Sequence, residues 1–297
     1  MNMNAISPCR RRSGFVLLSV LLLGTVLLSA ATALTWFARS VARSVAGKRN
    51  TLEERTFAHV VVRSAAVMLG ELGEHVTYDA PGQQWYQPVA VDRNGESCVL
   101  KITPLDDKIP VRSLFLPDGN TLRTEFADVW TDMWEALNKP GLADVVLDMM
   151  DKNDKPRVGS LEVKGWLNRP LYDMGELLFL SKDITPETLD RLNTYVTLWS
   201  DGRINLNTAP QNVLVLLPGL DTGNVAERLI SWRNEHPLGS VSDIDNIPGV
   251  SGKASSRLQN IGAVKSRYIS MTLDTPTTQF HAIVDRTTRT IMKWEEE

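Results

Sequence analysis

Cysteine and histidine are scarce in this chain, two and four among 297 residues. Two cysteines cannot make a disulfide framework; Cys9 lies close to the N-terminus, and Cys98 sits in a strand-like run where it reads as a small core residue. His59, His75, His236 and His281 are scattered, and no His/Cys pair stands at transition-metal spacing, which argues against zinc. No serine has a Gly-x-Ser-x-Gly setting and no Walker-type phosphate loop is present, so the chain is read as a non-enzyme. Charge of one sign is lacking as well. A formal net charge of -3 gives no bulk attraction to nucleic acid or to an anionic membrane surface.

One absence is local: from Phe15 to Phe37 there is no charged residue. That run is rich in Leu, Val and Ala and long enough to span about 30 Å of hydrocarbon. Directly before it stand Arg10, Arg11, Arg12, Ser13 and Gly14. An ordinary secretory signal is cut after its apolar region at small residues. Here the small residue precedes the apolar region, the order read by a prepilin-type peptidase, with the cut between Gly14 and Phe15 and the helix retained. A plain signal anchor fits the same segment. Flanking charge does not decide between them, because Arg39, Arg43, Lys48 and Arg49 oppose the leader arginines across the helix.

Beyond the apolar run, Leu52, Phe57, Val60, Val61, Ala65, Met68, Leu69 and Leu72 continue at helical spacing, with Gly70 and Gly73 at the fading end. This predicts one membrane and stem helix over 15–75. Two strand patterns follow, Trp85 to Val91 and Ser97 to Pro104, around the hairpin signal Asp92-Arg93-Asn94-Gly95. From about Pro110 to Val264 the chain reads as short helices: Thr124 to Leu137, Leu142 to Met150, Met174 to Leu180, Pro186 to Tyr195, Pro210 to Leu216, Thr222 to Glu235, Val241 to Ile247 and Lys253 to Ile261. Trp130, Trp134, Trp166, Trp199 and Trp232 are expected to pack them. Strand patterns return at Tyr268 to Leu273, Gln279 to Val284 and Thr290 to Trp294. The expected organisation is a leader over 1–14, the stem, a sheet built from 76–109 and 266–297, and an inserted helical domain over 110–265.

Two motifs in the insertion carry possible chemistry. Leu217-Pro218-Gly219-Leu220 and Ile247-Pro248-Gly249-Val250 each lead into a helix and form a helix-hairpin-helix-like repeat. Phosphate-binding hairpins use a second glycine, where this chain has Asp221 and Ser251; a carboxylate there repels phosphate, so the repeat is read as a packing or protein-binding element. The acidic run Asp148, Asp151, Asn153 and Asp154, with Glu162 further on, offers hard oxygen ligands of the kind Ca²⁺ takes. A solvated turn, its charge offset by Lys152 and Lys155, is the competing reading.

The leader and helix, the acidic loop, the run Gly202-Arg203-Ile204-Asn205-Leu206-Asn207-Thr208-Ala209-Pro210 and the hairpin repeat, in this order over nearly the whole chain, resemble the GspK family of minor pseudopilins of type II secretion systems. The Ile-Asn-Leu-Asn-Thr-Ala-Pro segment also resembles the start of hairpin domains in competence-type DNA-binding proteins. The resemblance implies an α+β, pilin-like fold with a long N-terminal membrane and stem helix, an antiparallel sheet and a large inserted all-helical domain. It implies a place at the tip of a periplasmic pseudopilus, anchored once in the inner membrane, with I-type and J-type minor pseudopilins, other pseudopilins, the inner-membrane platform and the prepilin peptidase as partners and no nucleic acid. It further implies methylation of the Phe15 amine and calcium on Asp148, Asp151, Asn153, Asp154 and Glu162, although Met149 and Met150 depart from the family's aromatic form of that loop. Counting from Phe15, the fifth residue is Ser19, where most pilins carry Glu; the family is similar in lacking it. A DNA-uptake pseudopilin and a minor pilin of a type IV pilus are the rival readings.

Overall fold

The computed structural model describes residues 12–157, 160, 168–220, 224–250 and 252–297. Helix α1 runs Arg12–His75. It contains no proline, and the Leu- and Ala-rich sequence through its first half favours a helix throughout. The chain divides into two compact units, Met1–His59 and Val60–Glu297. The first is the greater part of α1, with its large apolar side chains from Phe15 to Phe37 all exposed.

The second unit contains the end of α1, a five-stranded antiparallel sheet and a helical insertion. Strands β1 (Val89–Arg93) and β2 (Glu96–Pro104) form a hairpin. Asn94 and Gly95 both have positive φ, at 53° and 90°, as a two-residue turn between twisted strands demands. Strands β3 (Ile109–Pro110), β4 (Val196–Thr197), β5 (Ile204–Asn205) and β6 (Gly262–Ala263) belong to the insertion. Strands β7 (Tyr268–Asp274), β8 (Gln279–Asp285) and β9 (Thr290–Glu296) then complete the main sheet in the order β1-β2-β7-β8-β9. Alternate residues face inward: Cys98, Leu100 and Ile102 on β2, Ile269, Met271 and Leu273 on β7, and Phe280, Ala282 and Val284 on β8 are buried. On α1, Val62, Ala66 and Leu69 are buried at helical spacing.

Between β2 and β7 lie α2 (Thr124–Ala136), α3 (Leu142–Met150), α4 (Pro186–Leu192), α5 (Gln211–Leu214), α6 (Val225–Glu235) and α7 (Gly252–Ile261). They share a continuous core of their own. In α2, Phe126, Val129, Trp130, Met133 and Trp134 form a single buried stripe, and the Trp130 indole donates to Ala143 O at 3.0 Å, which ties α2 to α3. Trp199 and Trp232 pack against this core half-buried, while Trp166 lies outside the described residues.

Three sequence expectations are modified. Met174–Phe179 and Val241–Asn246 are 3-10 turns, and α5 is a single turn. Each segment is too short for helix propagation to outweigh nucleation, so local caps decide its form: Asp173 accepts from Gly175 N, and Ser240 with Asp243 makes a capping box. The two-residue parallel pairs β3–β4 and β5–β6 carry no local periodicity and had no sequence signal.

Candidate functional site

The uncharged part of α1 has the composition and length of a membrane span. Its hydroxyls are satisfied within the helix: Ser19 Oγ donates to Phe15 O at 2.9 Å, and Thr25, Ser29, Thr32 and Thr35 donate to Leu22, Val26, Ser29 and Ala31 carbonyls at 2.8–2.9 Å. Such self-pairing lets small polar residues face hydrocarbon without an orphaned donor. Gly14 and Phe15 lie in the first turns of α1, and the Phe15 ring is exposed. The arginines at 10 and 11 lie outside the described residues.

The end of α1 meets the sheet and both ends of the insertion in a buried polar junction. Asp79 is fully buried and Arg286, just after β8, is 4% exposed. Arg286 Nη1 lies 2.8 Å from both Asp79 carboxylate oxygens, its Nε donates to Leu69 O at 2.8 Å, and its guanidinium stands 5.5 Å from the Trp85 ring centroid. Asp79 Oδ2 also accepts Ser266 N at 2.7 Å, and Asp79 N donates to Val264 O. The glycines on α1 make room for this. A Cβ on Gly73 would stand 2.7 Å from Arg286 Nε, and one on Gly70 would stand 2.7 Å from Arg289 Cγ. Lys265 Nζ donates to Gly73 O, and Arg289 pairs with Glu74.

The network continues into the Ile-Asn-Leu-Asn segment. Asn205 and Asn207 are fully buried. Asn205 Nδ2 donates to Ser266 Oγ at 2.9 Å, and Asn205 Oδ1 accepts Asn207 N at 3.0 Å. Asn207 then pairs with the Leu238 backbone as a strand would, donating to its carbonyl and accepting its N–H, both at 2.9 Å. One line of hydrogen bonds therefore runs from Arg286 through Asp79, Ser266 and Asn205 to Asn207 and Leu238. Apart from Arg286 Nη2, which is buried with no hydrogen-bond partner among the described residues, these groups pair with one another, and the network favours one arrangement of sheet and insertion.

Two carboxyls beside this line are shifted. Asp106 Oδ2 accepts the N–H groups of Arg267 and Tyr268 at 2.6 and 2.8 Å, while its Oδ1 is buried with no hydrogen-bond partner among the described residues. Burial outweighs those two bonds and, with Asp201 nearby, pushes Asp106 up to about 7; burial likewise pushes Asp107 up to about 6 against the pull of Lys108 and Arg233. Both folded-state values exceed the ordinary value near 4. Their contribution to stability is thus fullest below about pH 4 and fades as pH rises through about 6 and 7. The chain is expected to unfold at lower urea concentration at pH 8 than at pH 5, and Asp106→Asn to narrow that difference. Equal pH dependence in the variant would show that Asp106 is not its source.

The acidic loop is already populated by N–H donors. Asp148 is 1% exposed and Asp151 is fully buried. Arg157 N donates to both Asp148 oxygens at 3.0–3.1 Å, Arg157 Nε lies 3.2 Å from Asp148 Oδ1, and Arg157 Nη2 donates to Asp151 Oδ2 at 3.3 Å. Asp151 Oδ1 accepts Asn153 N, Asn153 Oδ1 accepts Lys155 N, and Asp154 Oδ1 accepts Asn168 Nδ2. Burial raises Asp151, and the charge of Arg157 opposes that. Among the described residues no three His, Cys, Asp or Glu side chains converge as a metal site, and Glu162 lies outside them. So arranged, the described oxygens do not fit the open shell of six to eight that Ca²⁺ requires.

Both hairpins of the repeat turn at a glycine with positive φ, 81° at Gly219 and 94° at Gly249, and both close the same bond, Leu220 N to Leu217 O and Val250 N to Ile247 O. Their apolar residues Leu217, Leu220, Leu229, Ile247 and Leu258 are buried in the insertion core. A Cβ on Gly249 would overlap the Arg228 guanidinium, so an arginine of the first motif rests on the turn of the second. Asp221 and Ser251 lie outside the described residues.

An apolar groove of about 790 Å³ opens beside these elements, lined by Ala65, Met68 and Leu72 of α1 together with Trp85, Val89 and Ile102. No protein-family model matches the sequence. No curated protein matches it either. Among solved structures, a chain in the crystal structure of the GspK-GspI-GspJ complex from the enterotoxigenic Escherichia coli type 2 secretion system is similar, with a TM-score of 0.66 and 14% identity over 86% of this chain and 99% of that one. The chain therefore has a pseudopilin fold.

Proposed function

We propose that this chain is a minor pseudopilin of a type II secretion system, a non-catalytic subunit that starts or caps the pseudopilus at its tip. The observation that carries the reading is the combination, in one chain, of a pseudopilin fold with an uncharged, membrane-length helix preceded by the Gly14-Phe15 step. The prepilin peptidase cuts between Gly14 and Phe15, the new Phe15 amine is methylated, and the subunit stays in the inner membrane with its C-terminal unit in the periplasm.

Ser19 supports the tip position on physical grounds. A Glu at the fifth mature position is costly in lipid unless a neighbouring subunit's N-terminal amine meets it. A tip subunit has no neighbour above it to supply that amine, and Ser19 needs none because its hydroxyl is bonded to Phe15 O. The exposed apolar residues Val60 and Met68 and the adjoining groove give partner subunits a surface to cover. I-type and J-type minor pseudopilins are those partners in this reading.

The test is co-expression of the full chain with the I-type and J-type pseudopilins of the same organism. The membranes are extracted in detergent, and the mass of the purified assembly and the N-terminal residue of each subunit are measured. The expected result is a one-to-one-to-one complex with this subunit beginning at Phe15. Recovery of this chain without either partner overturns the tip assignment, and salt-dependent DNA binding by that material would turn the reading toward DNA uptake.

A further inference from the structure

The acidic loop contains a positive charge placed between its two buried carboxylates. Asp148 closes the last turn of α3 and Asp151 follows the helix, so their side chains leave neighbouring backbone positions into the same buried space. Two carboxylates there would repel each other and lose their hydration. Arg157 answers both: Nε lies at ion-pair distance from Asp148 without a hydrogen bond to it, Nη2 donates to Asp151, and the backbone N–H donates to Asp148.

The same guanidinium reaches further. Nη2 also donates to Asn120 O at 3.2 Å, and the group lies 5.6 Å from the Phe115 ring centroid. Lys152 N, on the acidic loop, donates to Asn120 Oδ1 and to Gly119 O, each at 3.1 Å. The loop after α3 is thereby fastened to the turn that precedes α2. Holding two loop segments together around clustered carboxylates is what a bound divalent ion does in an oxygen-rich loop. Arg157 does it with a planar fork whose charge does not depend on the ionic content of the surroundings.

We propose that Arg157 is the resident cation of this loop, substituting within the chain for a divalent ion, so that the helical insertion folds and remains folded without calcium. The occupied oxygens carry this: Asp148, Asp151, Asn153 and Asp154 each accept from a chain N–H, and Arg157 sets a fixed positive charge beside both buried carboxylates, with which a divalent cation would have to compete.

The experiment is thermal unfolding of the full chain in detergent, followed by tryptophan fluorescence, in chelator, in millimolar Ca²⁺ and in millimolar Mg²⁺. The wild type is expected to melt at the same temperature in all three. Arg157→Gln is expected to lower the midpoint by about 5 °C or more in chelator, and Arg157→Lys, which keeps the charge without the fork, to fall between. A wild-type midpoint raised by Ca²⁺ but not by Mg²⁺ would overturn the proposal in favour of a calcium loop. A melting point unchanged in Arg157→Gln would overturn it equally. If the Gln variant does not accumulate as folded protein, the wild-type comparison and the Lys variant still decide.

Discussion

Arg286→Ala is expected to lower the unfolding free energy by about 3–5 kcal/mol, the range for removing one partner of a buried ion pair. The variant leaves the Asp79 carboxyl buried without its guanidinium, keeping the bond from Ser266 N. It also removes the second hydrogen bond to Leu69 O, whose helix partner remains, and takes the cation from the Trp85 ring. Urea unfolding of the detergent-solubilised chain measures the loss directly. A paired change, Arg286→Met with Asp79→Leu, should be much less damaging than Arg286→Ala, because a buried ion pair replaced whole by apolar groups leaves no stranded charge. A double variant as unstable as the single one would mean that the hydrogen bonds to Leu69 O and from Ser266 N, rather than the charge pair, hold the junction.

Asn207→Ala should cost about 2–4 kcal/mol, because it strands two backbone groups at once. Leu238 N–H and C=O are buried and pair with this one amide. Asn207→Asp separates the two bonds: the carboxylate still accepts from Leu238 N but turns an oxygen toward Leu238 O, so its loss should equal or exceed that of alanine at neutral pH. Both are read from the same urea titration. A loss below about 1 kcal/mol for Asn207→Ala would show that water replaces the amide and that the segment is less tightly held than its burial implies.

What could be read from the sequence was what repeats locally. The uncharged run from Phe15 to Phe37, the Asn94-Gly95 turn and the alternation in β7 to β9 each declare themselves within a short window of chain. The contacts that join these pieces have no such signature. Gly70 and Gly73 read as the fading end of a helix, and nothing nearby in sequence shows that they leave room for Arg289 and Arg286, which arrive from the far end of the chain. The Asn205 and Asn207 run stood out only through a family resemblance, and its physical use, a hydrogen-bonded dock for Ser266 and Leu238, depends on residues brought together from distant parts of the chain. In the acidic loop the sequence offered Lys152 and Lys155 as charge offsets. The fold gives that work to Arg157, whose fork reaches both buried carboxylates from outside the cluster.

The strand order also sets when this protein can fold. β2 pairs with β7, roughly 170 residues later in the chain. Until β7 has been synthesised, both edges of the β1–β2 hairpin are unpaired, the β2 edge being the one that β7 later covers, while the local contacts of the insertion can form meanwhile. Sheet closure is therefore a late, high-contact-order event. A chain interrupted anywhere before β7 would leave the β2 edge open to its surroundings, available for pairing with another chain.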